Sequence, residues 1–148
     1  MERIKGIYEV EKLGVTVSAD GKPKVGVDSD PESNDYMGYL VETEKESIFV
    51  LVSDEHHCCE KTGYVTSDDN LDNFIGADLR SVEVVGEDYN IVSELLPDED
   101  EYETTFTVFV NFNTDRGVLQ MAVYNQHNGW YGHDVLLIKD KTVEEFAV

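Results

Sequence analysis

Apolar and polar residues alternate with a period of two along much of this chain, the mark of β-strands with one face buried. The clearest case is Thr105 to Asn113. Phe106, Val108, Val110 and Phe112 fall on one face, and Thr105, Thr107, Phe109 and Asn111 on the other. Thr114-Asp115-Arg116-Gly117 then reads as a turn, with Gly117 free to take positive φ. Val118 to Asn125 returns as the second strand of a hairpin. A second hairpin joins Gly38–Glu42 to Ser47–Ser53 through Thr43-Glu44-Lys45-Glu46. Shorter strands are expected at 3–11, 13–18, 24–28, 80–86 and 134–139.

One segment switches to a helical spacing. Leu71, Phe74 and Ile75 form an i, i+3, i+4 stripe. Ser67 is placed to cap the helix, Asp68 and Asp69 to favour the positive end of its dipole, and Gly76 to end it. Ile91–Leu96 is expected to form a second helix or a strand, and Val143 to Val148 a short turn. Loops fall at Ser29–Asp35 and Pro97–Glu103. No internal repeat is evident, and a length of 148 residues suits one domain. The expected class is α+β: a mostly antiparallel sheet with one or two short helices over residues 1–148.

Charge changes the picture more than composition does. Residues 25–115 hold 24 acids against Lys45, Lys61 and Arg80, while the remaining residues hold eight acids and eight bases. The formal net charge of −21 therefore belongs to the middle of the chain, since 24 − 3 = 21. Such a field repels phosphate backbones and anionic lipids and attracts cations or basic protein surfaces. Disorder is not implied, because 41% of the residues are hydrophobic and six Phe, eight Tyr and one Trp can build a core. Met1 to Val10 lacks the apolar stretch of a signal peptide, and no run approaches the roughly 18 apolar residues of a membrane span. The two cysteines, Cys58 and Cys59, are adjacent, a spacing that strains a disulfide. A reduced, cytoplasmic protein is the expectation.

All four histidines and both cysteines fall in two stretches, Asp54-Glu55-His56-His57-Cys58-Cys59-Glu60 and Asn125-Gln126-His127-Asn128-Gly129-Trp130-Tyr131-Gly132-His133. Imidazole and thiolate suit zinc, so His57, Cys58, His127 and His133 are the candidate metal ligands if the two stretches meet. The spacing argues against it: neither CxxC nor HxxxH is present, and adjacent residues of an extended chain point apart. No cofactor is expected. A Cys–His nucleophile is opposed by Asp54, Glu55 and Glu60, which raise a thiol pKa rather than lower it. No GxSxG, P-loop or GxGxxG is present, and no catalytic residue is assigned. Asn128-Gly129 reads as a turn, and Trp130 and Tyr131 as either a recognition edge or packing.

The strand leading to Ser53-Asp54 and then Cys58-Cys59-Glu60, followed by an acidic stretch ending in Phe74-Ile75-Gly76 and later by Asn128-Gly129-Trp130-Tyr131, resembles a small domain family of unknown function in bacteria and their phages. In that family the matching elements are Asp-Cys-Cys-Glu, Leu-Ile-Gly and Asn-Gly-Tyr-Tyr. The likeness covers residues 38–138, departing at His56-His57 and at Trp130. It implies a phage or mobile-element setting and no activity.

Two expectations follow. The first is a non-enzymatic phage or prophage binding protein that mimics a nucleic acid and occupies the basic surface of a host protein, such as a nuclease or another nucleic-acid-binding defence protein. Its partner-binding acids would be Asp68, Asp69, Asp72, Asp98, Glu99, Asp100 and Glu101, with no direct contact to nucleic acid or membrane. The alternative is a small-ligand protein, for a signalling nucleotide, or a metal-binding one. Its pocket would lie between His57, Cys58, Cys59 and Glu60 on one side and Asn128, Trp130 and Tyr131 on the other. Solubility alone would also account for the acids.

Overall fold

The computed structural model describes residues 2–17, 19–27, 35–54, 60–86, 91–99, 104–127, 132–140 and 142–148. Among them are ten strands: β1 (Glu2–Val17), β2 (Pro23–Val27), β3 (Tyr36–Thr43), β4 (Ser47–Ser53), β5 (Lys61–Thr66), β6 (Asp78–Val85), β7 (Thr104–Thr114), β8 (Gly117–His127), β9 (Asp134–Lys139) and β10 (Thr142–Ala147). The spatial order is β10-β9-β4-β3-β1-β6-β7-β8-β5, with β2 added to β1. All pairings are antiparallel.

This long sheet folds on itself about β1. Glu2 and Arg3 pair with β6, Ile4 to Leu13 with β3, and Leu13 to Val17 with β2. One half, β10-β9-β4-β3, then faces the other, β6-β7-β8-β5. Between them lies the main core, where Tyr39, Val41, Ile48, Val50, Val52, Val135 and Leu137 meet Val108, Val110, Phe112, Leu119, Met121 and Val123. Tyr39 of β3 and Tyr64 of β5 touch edge to face across the gap, their centroids 5.0 Å apart. The two halves form a sandwich.

Both outer faces are covered as well. The register of β1 slips between Val10 and Leu13, with Lys12 at φ 55°. Such a bulge bends a strand. Beyond it, Val15 and Val25 of the β1–β2 ribbon pack over Phe49, Leu51, Leu136 and Ile138 on the outside of β4 and β9. Across the molecule, Val92 covers Phe109 and Ala122 on the outside of β7 and β8. Strands covered on both sides explain why Asn111 and Gln120 are buried yet satisfied: the Gln120 amide donates to Asn111 Oδ1 at 2.9 Å.

The architecture is nearly all β, which corrects the α+β expectation. Where a helix was expected after Ser67, there is one 3-10 turn, Leu71–Phe74, capped by Asn70. Ser67 Oγ instead accepts from the Gln120 N–H of β8 at 2.9 Å. Phe74 is buried, but Ile75 is extended and exposed, and Gly76 follows at φ 88°. Three apolar residues within five positions do not offset the cost of nucleating a helix. Ile91–Leu96 holds a second short turn, Ser93–Leu95, in place of a regular helix or strand. Residues 143–148 are mostly strand β10 rather than a turn. The 3–11 and 13–18 strands are one continuous β1.

Two strands carried no clear sequence signal. In β5, Gly63 interrupts the pattern; its bare α-carbon lies under the Tyr124 ring, where a β-carbon would sit 2.6 Å from the phenol oxygen. In β10, Glu144-Glu145 breaks the alternation, and exposed acids on an edge strand discourage further strand pairing. Among the described residues no helix is long and apolar enough to cross a membrane.

Candidate functional site

Strand direction brings several chain ends to one end of the sandwich. β4 finishes at Ser53, β5 starts after Glu60, β8 finishes at His127 and β9 starts after His133. The register of Val52 with Val135, and of Lys61 with Gln126, fixes these ends side by side.

A buried polar network joins them. His133 Nε2 lies 2.8 and 3.0 Å from the two Glu60 carboxylate oxygens. His133 Nδ1 lies 2.9 Å from both the hydroxyl and the carbonyl oxygen of Ser53. The side chains of His133 and Glu60 are 0% and 2% exposed. Backbone groups of His133 and Val148 bond each other in both directions. Beside them, Thr62 donates to Asn125 Oδ1 at 2.9 Å, and the Asn125 amide reaches the Val148 carbonyl at 3.4 Å. His127 stacks on Phe106 at 4.7 Å.

The Ser53 carbonyl only accepts, which places the Nδ1 hydrogen of His133 toward it. With that hydrogen in place the ring is not set to take a proton from Ser53 Oγ, and Ser53 and Glu60 hold the imidazole from its two nitrogens. The trio is a clasp. Glu60 stands just before β5 in one half of the sandwich, while Ser53 ends β4 and His133 immediately precedes β9 in the other. Their contact therefore pins together the bases of the two histidine- and cysteine-containing stretches.

The two stretches thus converge at their flanks, as a shared pocket requires. Of the expected pocket residues, Glu60 is a clasp member, and His57, Cys58, Cys59, Asn128, Trp130 and Tyr131 lie outside the described residues. Of the candidate metal ligands, His133 has both ring nitrogens engaged by protein, His127 is buried against Phe106, and His57 and Cys58 lie outside the described residues. Among the described residues no three His, Cys, Asp or Glu side chains gather as ligands would. Ser53, Thr62 and Asn125 were missed by sequence reasoning. A signal for Asn125 existed: it continues the inward parity of Leu119, Met121 and Val123, where a polar residue needs a partner.

A family described as a domain of unknown function, DUF7448, matches residues 5–137. The chain belongs to this family. The DUF7448 match runs from β1 into β9 and so takes in the whole clasp. No curated protein and no solved structure matches the chain.

The acids singled out in the sequence are split. Asp68, Asp69 and Asp72 precede or join the Leu71–Phe74 turn, which Arg116 of the β7–β8 turn holds through the Asn73 and Ile75 carbonyls at 3.0 and 2.9 Å. That is the end of the sandwich opposite the clasp. Asp98 and Glu99 lie toward the clasp end, before β7. Asp100 and Glu101 lie outside the described residues. Asp68 is occupied locally, accepting from the Asn70 N–H at 2.9 Å, and Glu99 accepts from the Thr105 N–H at 3.0 Å. Asp69, Asp72 and Asp98 are exposed.

The acids also act on their neighbours. Burial, and then the hydrogen bond and charge of Glu9, push the Tyr64 hydroxyl far above the usual tyrosine range. The Tyr64 hydroxyl donates to Glu9 at 3.0 Å and stays protonated. Tyr39 is raised by burial first and by Glu9 second.

Proposed function

We propose that this chain is a non-enzymatic binding protein that sets an acidic β surface against a basic surface on a partner protein, where it stands in for nucleic-acid phosphates. The observation that carries this reading is an excess of exposed acid on a framework held by its own core. Residues 25–115 carry 24 acids against three bases, and Asp69, Asp72, Glu94 and Asp98 are exposed. A rigid acidic surface steers basic partners and excludes nucleic acid and anionic membranes by like charge. In a phage or prophage setting the partner would be a host nuclease or another nucleic-acid-binding defence protein. The test is capture from a bacterial lysate, followed by competition of the purified captured protein between this chain and duplex DNA. A basic protein that high salt releases and duplex DNA displaces supports the reading. Capture that ignores salt and DNA contradicts it.

A second reading has its own observation, the clasp that brings the bases of the two stretches together. A small ligand would sit between them, held by Cys58, Trp130 and Tyr131. Native mass spectrometry of the purified chain tests it: a bound species lost in Tyr131→Ala and Cys58→Ser supports a pocket, and a bare mass opposes one.

A further inference from the structure

We infer that the segment 91–99, strapped across the outside of β7 and β8, is the docking surface for the basic partner, and that the partner offers an apolar side chain flanked by Lys or Arg. This rests on the acidic-surface reading and says where on the molecule it operates.

The strap is built to be still. Val92 is 2% exposed and packs on Phe109 and Ala122, with Leu96 against the same cluster. The Ile91 N–H donates to Gln120 Oε1 at 2.7 Å. Gln120 is itself fully buried and held by Asn111 and Ser67. Further along, the Gln126 amide donates to the Asp98 carbonyl, and the Thr105 N–H to the Glu99 carboxylate. These anchors grip backbone or inward groups and leave other side chains facing out.

What faces out is mixed. Ile91, two residues before the Ser93–Leu95 turn, and Leu95, at its end, are each 54% exposed, the highest values among the large hydrophobic side chains described. Glu94 and Asp98 are exposed beside them, and the exposed Glu83 lies on the same outer face through its pairing with Asn111. Single exposed apolar residues need no explanation. Two on one pinned strap, with exposed Glu94 and Asp98 in the same segment and Glu83 on the same face, make an apolar centre with a charged rim, the layout of an interface. The rim is negative, so its complement is positive. A surface already ordered loses little conformational freedom on binding. The acids at 69 and 72 have a different neighbourhood, in which Ile75 is the exposed apolar residue at 37%.

The test uses the intact chain, nitrogen-15 labelled, titrated with two synthetic peptides of equal length and charge, one of lysine and leucine, the other of lysine and serine. The lysine–leucine peptide is expected to bind about tenfold more tightly, with the largest amide shifts at 91–99. The double change Ile91→Ser and Leu95→Ser is expected to erase the difference while leaving the melting temperature in place. Asp69→Asn with Asp72→Asn is expected to leave it intact. Equal binding of both peptides, or shifts centred on 68–76, would overturn the strap as the docking surface and leave the acidic-surface reading standing. Failure of both peptides to bind would overturn both.

Discussion

Each member of the clasp is held by partners distant in sequence, and that makes single substitutions informative. Removing His133 takes from the buried Glu60 carboxylate the imidazole that stands 2.8 Å away, and breaking a buried pair in this way costs about 3–5 kcal/mol. His133→Ala is therefore expected to lower unfolding free energy in denaturant by about that amount. A loss below about 0.5 kcal/mol, the range of ordinary surface changes, would show that the clasp does not hold the two halves together. Glu46 tests the acid surplus from another side. Burial, then the neighbouring Glu2, raise its pKa above the ordinary value of 4.5. A raised carboxylate binds its proton more tightly in the folded state, so its charged form costs stability at neutral pH. That cost fades as pH falls through the raised value. Glu46→Gln is expected to raise the melting temperature at pH 7, with the gain vanishing below about 4.5. A gain that persists at lower pH would contradict the assignment.

The elements show which signals in the chain were readable. The Thr105–Asn113 alternation was, because Val108, Val110 and Phe112 enter the main core, though Phe106 at the start of the same face stays 40% exposed, and the Thr114–Gly117 turn allows a tight return. Gly63 hid β5, since the side chain that fills its place is Tyr124 on the facing strand, known only once the strands are paired. The helix after Ser67 was over-read for the opposite reason: its local signals are sound, but Gln120, 53 residues away, takes the cap. The clasp joins residues 73 and 80 positions apart and depends on the sheet order, which local periodicity does not encode. Its ingredients were nonetheless visible, because Glu60 and His133 stood among the candidates. The turn predicts an asymmetry a helix would not. Phe74→Ala is expected to cost about 3 kcal/mol or more, while Ile75→Ala stays within about 0.5 kcal/mol. Equal losses in denaturant unfolding would restore the helical stripe.

At the scale of the molecule, a net charge of −21 on 148 residues opposes folding through self-repulsion. Salt screens that repulsion. The melting temperature is expected to climb as sodium chloride is added, and a flat response would mean that the acids are neutralised within the fold. The same charge defines what the surface can meet. The described residues carry acids at both ends of the sandwich, and the strap adds to its acids the two most exposed large hydrophobic side chains among them, Ile91 and Leu95. Of the acids chosen from sequence, the described ones fall at two places, Asp68, Asp69 and Asp72 by the Leu71–Phe74 turn and Asp98 and Glu99 before β7: adjacency in the chain revealed charge, and the sheet order decided which charges share a face.

The first measurement to make is competition between this chain and duplex DNA for the basic protein it captures, followed across a salt series. Mutual exclusion is expected, with affinity falling steeply as salt rises. Simultaneous binding of chain and DNA, or an affinity indifferent to salt, would contradict the acidic-surface reading.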